Sequence, residues 1–190
     1  MSRIHKGLSV TELGAIVSEA LNSAGIQAVL CGGSVATIYS GHQWESNDLD
    51  FVVARVDKKR IAEVLTGLGF KREPNGLFGH SDHTHSVDTL PWPIVLGNEE
   101  VDEWNTIHTE VGDLQILSPT QCVKDRLAGF YHSVDRQSLD RAVEVCLHEE
   151  VDMEEIKRWS EGQSVTEKLK EFLEAVQHAK AKQEKASSSK

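Results

Sequence analysis

The segment that most constrains this chain runs from Cys31 to Val53 and reads CGGSVATIYSGHQWESNDLDFVV. It places two glycines at the end of the apolar run IQAVLC, and two aspartates, Asp48 and Asp50, at the start of a second apolar run. The first pattern predicts a buried strand, a tight turn and a short helix, and the second predicts another strand. Because side chains alternate along a strand, both carboxylates should project from one face, about 7 Å apart.

The glycine turn and the two acids have complementary chemistry. The backbone amides of Gly32 and Gly33, together with the hydroxyl of Ser34 ahead of the helix, can bind phosphate oxygens. Two carboxylates on one strand face can share a hard divalent cation or bridge two of them. Either motif alone is ordinary surface structure, but their order along the chain predicts a site for a phosphate-bearing ligand and its metal ions.

These motifs resemble the signature of the nucleotidyltransferase superfamily related to DNA polymerase β, in which Gly-Gly/Ser precedes Asp-apolar-Asp-apolar. Residues 33–34 are followed here by thirteen residues and then by DLDF at 48–51, a spacing at the long end of the family's range. The segment is particularly similar to bacterial minimal nucleotidyltransferases, including the toxins of abortive-infection toxin–antitoxin systems. The resemblance covers most of residues 25–145 and implies an α+β fold with a mixed sheet.

The resemblance also implies a third metal-binding carboxylate on a neighbouring strand. Asp88 lies in HTHSVDTL, a predicted strand, with Asp82 and Asp113 as competing candidates. In this family the three acids hold two Mg²⁺ (or Mn²⁺) ions and bind a nucleoside triphosphate (NTP). Asp48, Asp50 and Asp88 are therefore the predicted catalytic and metal-binding residues, with Asp88 as the group that activates the acceptor hydroxyl.

The helical half of the chain resembles the family less closely. The toxins carry a lysine near the nucleotide, and Lys124 in VKDRLAGFYH occupies a matching position. It is predicted to reach the triphosphate, the alternative being a solvated lysine at the edge of a helix. The next helix matches an Arg-Asp-x-x-Asp-like pattern through Arg136 and Asp140, but Gln137 stands where the first acid is expected.

The character of the sequence changes near Pro119, which predicts two regions and a tail. Residues 1–117 are expected to form the α/β core, residues 118–185 a C-terminal helical bundle, and residues 186–190 a disordered tail. The formal net charge of −10 argues against a broad nucleic-acid-coating surface, which requires a basic field.

Compartment and membrane association are inferred from the apolar residues and the cysteines. Three widely spaced cysteines without a CxxC pair predict reduced thiols rather than a disulfide framework. No apolar stretch approaches the ~20 residues that span a membrane, and the N-terminus lacks an apolar signal core. We therefore expect a cytoplasmic protein without membrane partners.

The predicted function is Mg²⁺-dependent transfer of a nucleoside monophosphate from an NTP to a hydroxyl, with release of pyrophosphate. The acceptor is left open between a tRNA end, a protein side chain and a small molecule such as an aminoglycoside. The resemblance to toxins further implies an antitoxin protein as a possible partner. A catalytically silent protein of the same fold that acts as a partner-binding module is the alternative.

Two further hypotheses rest on side chains outside these motifs. His80, His83 and His85 lie close together in sequence and could form a zinc site, or one of them could contact substrate beside Asp88. Trp44, in the loop before the paired aspartates, is a candidate for contact with a nucleotide or a partner protein.

Overall fold

The computed structural model describes residues 3–43, 45–54, 58–133 and 135–187. Trp44 lies outside the described residues. The described helices and strands follow in chain order: α1 (Val10–Ser23), β1 (Ala28–Cys31), α2 (Gly32–Tyr39), β2 (Asp48–Val53), α3 (Lys58–Gly67), β3 (Lys71–Arg72), β4 (Phe78–His80), β5 (His83–Pro91), β6 (Ile94–Leu96), β7 (Glu99–Val101), β8 (Asn105–Thr109), β9 (Gly112–Ile116), α4 (Pro119–His132), α5 (Arg136–His148), α6 (Met153–Glu161) and α7 (Thr166–Ser187).

Seven of the strands form one mixed sheet in the order β3-β4-β5-β2-β1-β9-β8. Strand β2 pairs antiparallel with β1 on one side and parallel with β5 on the other. The middle strands are the most apolar, and β1 is buried along its whole length. A strand covered on both faces reads as a continuous apolar run, as AVLC does.

The first helix begins at a capping motif that is formed by its own sequence. Ser9 and Glu12 form a reciprocal capping box at the start of α1, which satisfies amides that would otherwise lack a partner. The apolar stripe of α1 faces the sheet, and the buried hydroxyl of Ser18 accepts a hydrogen bond from the backbone amide of Gln115 in β9. This helix thereby covers one face of the sheet.

The C-terminal helices pack around aromatic side chains. A second capping box, formed by Ser118 and Gln121, begins α4. Trp159 in α6 is fully buried, stacks on Tyr131 of α4, and donates from its indole nitrogen to the carbonyl of Leu96, 3.0 Å away. The α+β fold with a mixed sheet and C-terminal helices is confirmed. The predicted tail begins within the last turns of α7, which ends at Ser187.

The hairpin formed by β6 and β7 was missed by the sequence analysis. It forms a separate two-stranded sheet after the third-acid strand. Glu99 in β7 makes a bidentate ion pair with Arg158 of α6, at 2.7 and 2.8 Å. The hairpin is therefore attached to the helical region on one side and continues directly from β5 on the other.

No helix among the described residues is long and apolar enough to cross a membrane.

Candidate active site

The three predicted acids lie on two neighbouring parallel strands. In the register of β2 and β5, Asp50 is paired directly with Asp88, and Asp48 is paired with Ser86. Alternation along each strand turns Asp48, Asp50 and Asp88 to the same face of the sheet, which we call the carboxylate face. The competing candidates lie elsewhere: Asp82 is in the turn between β4 and β5, and Asp113 in β9 bonds to His108.

The turn before α2 holds Asp50 against the backbone. Cys31, the last residue of β1, is paired with Asp50, and Gly32 follows with a left-handed φ of 75°. A Cβ atom at Gly32 would overlap the Oδ2 oxygen of Asp50. Glycine is therefore required here twice, for its backbone conformation and for the space that the carboxylate occupies.

Like charges and burial act together on Asp50. Burial, followed by the neighbouring charges of Asp48 and Asp88, raises the pKa of Asp50 to about 6. Partial removal from water disfavours the ionised carboxylate, and the two other acids disfavour it further. The carboxylate face thus carries concentrated negative charge that a bound cation would relieve.

The residues of the carboxylate face fit a hard divalent cation in their chemistry, because all three offer carboxylate oxygens and share one face. Their side chains are not gathered into a coordination cluster: among the described residues, no group of three or more His, Cys, Asp or Glu side chains is arranged to hold a metal ion. Asp88, for example, accepts a hydrogen bond from the amide of Thr89 at 2.7 Å. The carboxylates would have to adjust to bind a metal together.

Gly33 and Ser34, at the start of α2, have different surroundings. Ser34 is fully buried, and its hydroxyl lies 3.4 Å from the carbonyl of Cys31, to which it donates. A Cβ at Gly33 would lie 2.9 Å from the hydroxyl of Ser46 and 3.3 Å from Nη1 of Arg141. No side chain caps the N-terminus of α2, so its first amides have no side-chain acceptor at this turn.

A cavity of about 490 Å³ opens beside the carboxylate face. Gly32 and Asp50 line it on one side, and Asp125 and Arg126 of α4 line it on another. Arg126 is largely buried and bonds to Asp125 at 2.6 Å, while its Nε atom is buried without a hydrogen-bond partner. Neither residue was predicted as a site component, because nothing in the helix pattern distinguishes them from neighbouring charges.

Lys124 lies in a different cavity from Asp50. Its ammonium group bonds to Glu155 and lies 3.8 Å from Glu99, so it links α4 to α6 and to the β6–β7 hairpin. The cavity that it lines, about 200 Å³ in volume, contains neither Asp50 nor Gly32. The structure therefore does not bring Lys124 together with the carboxylate face, and its contact with a triphosphate remains a prediction.

The remaining predicted side chains make local contacts. His80 packs edge-on against Phe70, and His83 lies 3.3 Å from the carbonyl of Leu8. Burial and the neighbouring His83 lower the pKa of His85. Arg136 forms an ion pair with Glu171 of α7 rather than with the carboxylate face.

Comparison with known proteins identifies the fold. No protein-family model and no curated protein sequence matches the chain. A crystal structure of an antigenic nucleotidyltransferase-like protein from Paracoccidioides brasiliensis is similar, with a TM-score of 0.53, 13% identity, and coverage of 74% of this chain and 77% of that one.

Two structures of the antibiotic-resistance factor ANT(2″)-Ia are more distant. The solution structure has a TM-score of 0.44 and 14% identity, covering 95% of this chain and 97% of that one. The crystal structure with adenylyl-2″-tobramycin has a TM-score of 0.47 and 13% identity, covering 73% and 87%. The assignment rests on the first comparison and on the topology: this chain has a nucleotidyltransferase-like fold.

Proposed function

We propose that this protein is a nucleotidyltransferase that moves a nucleoside monophosphate from an NTP to a hydroxyl group. The observation that carries the proposal is the register of β2 and β5, which sets Asp50 beside Asp88 on the face that Asp48 shares, directly against the glycine turn at Gly32. A phosphate-binding turn next to three carboxylates on one face is what such a transfer requires.

Each part of the site has a proposed role. The amides of Gly33 and Ser34 at the start of α2 bind the terminal phosphates, helped by the positive end of the helix dipole. The guanidinium of Arg141 lies next to Gly33 and adds positive charge at the same turn. Asp48, Asp50 and Asp88 would hold Mg²⁺ or Mn²⁺, which when bound supplies neutralisation of triphosphate and pyrophosphate charge.

The reaction is a single displacement at the α-phosphorus. The acceptor oxygen forms a bond to that phosphorus, the bond to the bridging oxygen breaks, and pyrophosphate leaves with the electron pair. The hydroxyl proton passes to a carboxylate. Asp88 is the proposed recipient because it lies on β5, next to Asp50, whereas Asp48 and Asp50 share β2. Arg126, on the other side of the cavity, faces the negative charge of Asp50.

The acceptor and the biological role are narrower proposals. A tRNA end, a protein hydroxyl or a small molecule can each accept a nucleoside monophosphate. A toxin role with an antitoxin partner rests on the sequence resemblance alone. Incubation of the purified protein with Mg²⁺, labelled NTP and fractionated cell extract distinguishes these acceptors by which fraction becomes labelled.

Nucleotide binding is the direct test of the site. Each NTP is titrated in the presence of Mg²⁺ against wild type, against a variant carrying both Asp48→Asn and Asp50→Asn, and against Asp82→Asn as a control acid outside the carboxylate face. We expect Mg²⁺-dependent binding in wild type and in the control, and at least a tenfold loss of affinity in the double variant. Failure of wild type to bind any NTP would refute the proposal, whereas binding without label transfer to any fraction would favour the partner-binding module.

A further inference from the structure

The carboxylate face continues into an apolar surface along the same two strands. The residues that follow the Asp50–Asp88 pair in the register of β2 and β5 are Val52 and Leu90, which are themselves paired. Alternation places Val52 on the face of Asp50 and Leu90 on the face of Asp88. One face of the sheet therefore changes from acidic to apolar within two residues.

The β6–β7 hairpin extends this surface. Pro91, Pro93 and Val95 line the same cavity as Leu90, and we call these four residues the apolar shelf. In β6, Ile94 and Leu96 are buried at 3% and 4% exposure, while Val95 between them is 51% exposed. Because side chains alternate along the strand, Ile94 and Leu96 anchor the hairpin in the core while Val95 stays exposed.

Exposure of large apolar side chains is concentrated at the shelf. Leu90 and Val95 are the only large hydrophobic side chains that are exposed among the residues the structure describes. A single exposed apolar side chain needs no explanation, but two that line one cavity beside a cluster of acids favour a ligand-binding surface. The shelf is also held in place, because Trp159 donates to the carbonyl of Leu96 and Arg158 binds Glu99.

We propose that the apolar shelf of Leu90, Pro91, Pro93 and Val95 binds the base of the NTP, in the cavity that Gly32 and Asp50 share. This proposal rests on the proposed function, since it assigns one end of the same substrate. A triphosphate held at the turn before α2 has its nucleoside within this cavity, and a base is a flat, uncharged ring whose faces pack on aliphatic side chains.

The charges around the cavity favour a base over an anionic or strongly apolar group. Asp50 and Asp125 contribute two carboxylates against the one guanidinium of Arg126. An uncharged ring avoids repulsion from these acids, while its edge nitrogens and oxygens can hydrogen-bond to Asp125 and Arg126. A purely aliphatic ligand could form no hydrogen bond with either residue.

The test separates binding of the base from binding of the phosphates. Mg²⁺ complexes of ATP, GTP, CTP and UTP, of ribose 5′-triphosphate, and of inorganic tripolyphosphate are titrated against wild type and against the double variant Leu90→Ser with Val95→Ser. Leu77→Ser, at a half-buried leucine between β3 and β4, is the control for the same change away from the cavity. Thermal unfolding of each variant confirms that it is folded, which is expected because both shelf side chains are exposed.

We expect the double variant to bind at least one NTP about tenfold more weakly than wild type, and to bind tripolyphosphate and ribose 5′-triphosphate as wild type does. Leu77→Ser should change none of these affinities. Unchanged NTP affinity in the double variant would overturn the proposal and reassign the shelf to the acceptor. An equal loss for NTP and tripolyphosphate would overturn it as well, because the shelf would then act on the phosphates. If wild type bound neither tripolyphosphate nor any NTP, the proposed function itself would fail.

Discussion

Replacing Asp50 with asparagine should make the metal-free protein more stable at neutral pH. The pKa of Asp50 rises from an ordinary value of 3.8 to about 6 in the folded chain, mainly through burial and then through the charges of Asp48 and Asp88. Folding therefore opposes ionisation of this carboxylate. The Asp50→Asn substitution keeps the shape of the side chain and removes its charge.

The direction in which stability changes with pH follows from the number of protons that Asp50 binds in the folded and unfolded states. Below about pH 4 the carboxyl group is protonated in both the unfolded and the folded chain, so it contributes no penalty. Between about pH 4 and pH 6 the unfolded chain loses this proton first, so the free energy of unfolding falls as pH rises. Above pH 6 the penalty is complete and constant.

The size of the change in the free energy of unfolding follows from the pKa shift of Asp50. About two pKa units correspond to about 3 kcal/mol, and since Asp50 is only partly buried, solvent screening reduces this to about 1–2 kcal/mol. Asp50→Asn should therefore raise the free energy of unfolding by about 1–2 kcal/mol at pH 7.5 and by less than about 0.5 kcal/mol at pH 4.

The assay is urea unfolding followed by tryptophan fluorescence in EDTA, at pH 4 and pH 7.5, with Asp82→Asn as an exposed control that should not gain stability. A variant that is equally or less stable than wild type at pH 7.5 would refute the electrostatic account of Asp50. Addition of Mg²⁺ provides a second readout: it should stabilise wild type increasingly as the Mg²⁺ concentration exceeds the dissociation constant, and leave Asp50→Asn nearly unchanged.

Two further variants test the surroundings of the carboxylate face. Gly32→Ala places a Cβ against Asp50 at a left-handed backbone position. It should lower the free energy of unfolding in urea by about 1–2 kcal/mol and abolish Mg²⁺-dependent NTP binding. The control is Gly25→Ala, which is also at a left-handed position but has open space around it, and which should lower stability without affecting NTP binding. Lys124→Met removes the partner of Glu155 and should lower the free energy of unfolding by about 1–2 kcal/mol, with little change in tripolyphosphate affinity. A loss of tripolyphosphate affinity at unchanged stability would instead favour the phosphate contact inferred from the sequence.

Local patterns predicted the elements that carry the site. The alternation of DLDFVV is enough to turn Asp48 and Asp50 to one face, and the register of β2 and β5 brings Asp88 to that face. The capping residues of α1 lie within four residues of one another, so they too can be read from the chain. Each of these inferences depends on neighbours along the sequence.

The features that escaped prediction depend on distant residues. Lys124 was predicted to reach the triphosphate because it resembles a lysine of the toxins. The partners of its ammonium group are Glu155, 31 residues later, and Glu99 on a hairpin that was not predicted. The signal for that hairpin was present, because a Gly97-Asn98 turn joins two short runs with strand propensity. Arg141 approaches Gly33 only because α5 packs beside α2, which no local pattern encodes.

Several locally unfavourable features of the described residues lie around one cavity. There the chain holds a carboxylate whose ionisation folding opposes, a glycine forced into a left-handed conformation, a guanidinium nitrogen without a partner and two exposed aliphatic side chains. The ion-pair cluster around Lys124 has the opposite character, since its charges satisfy one another. Local strain of this kind can persist where a ligand offsets it, which supports the proposal of a function at Asp50 and the apolar shelf rather than at Lys124.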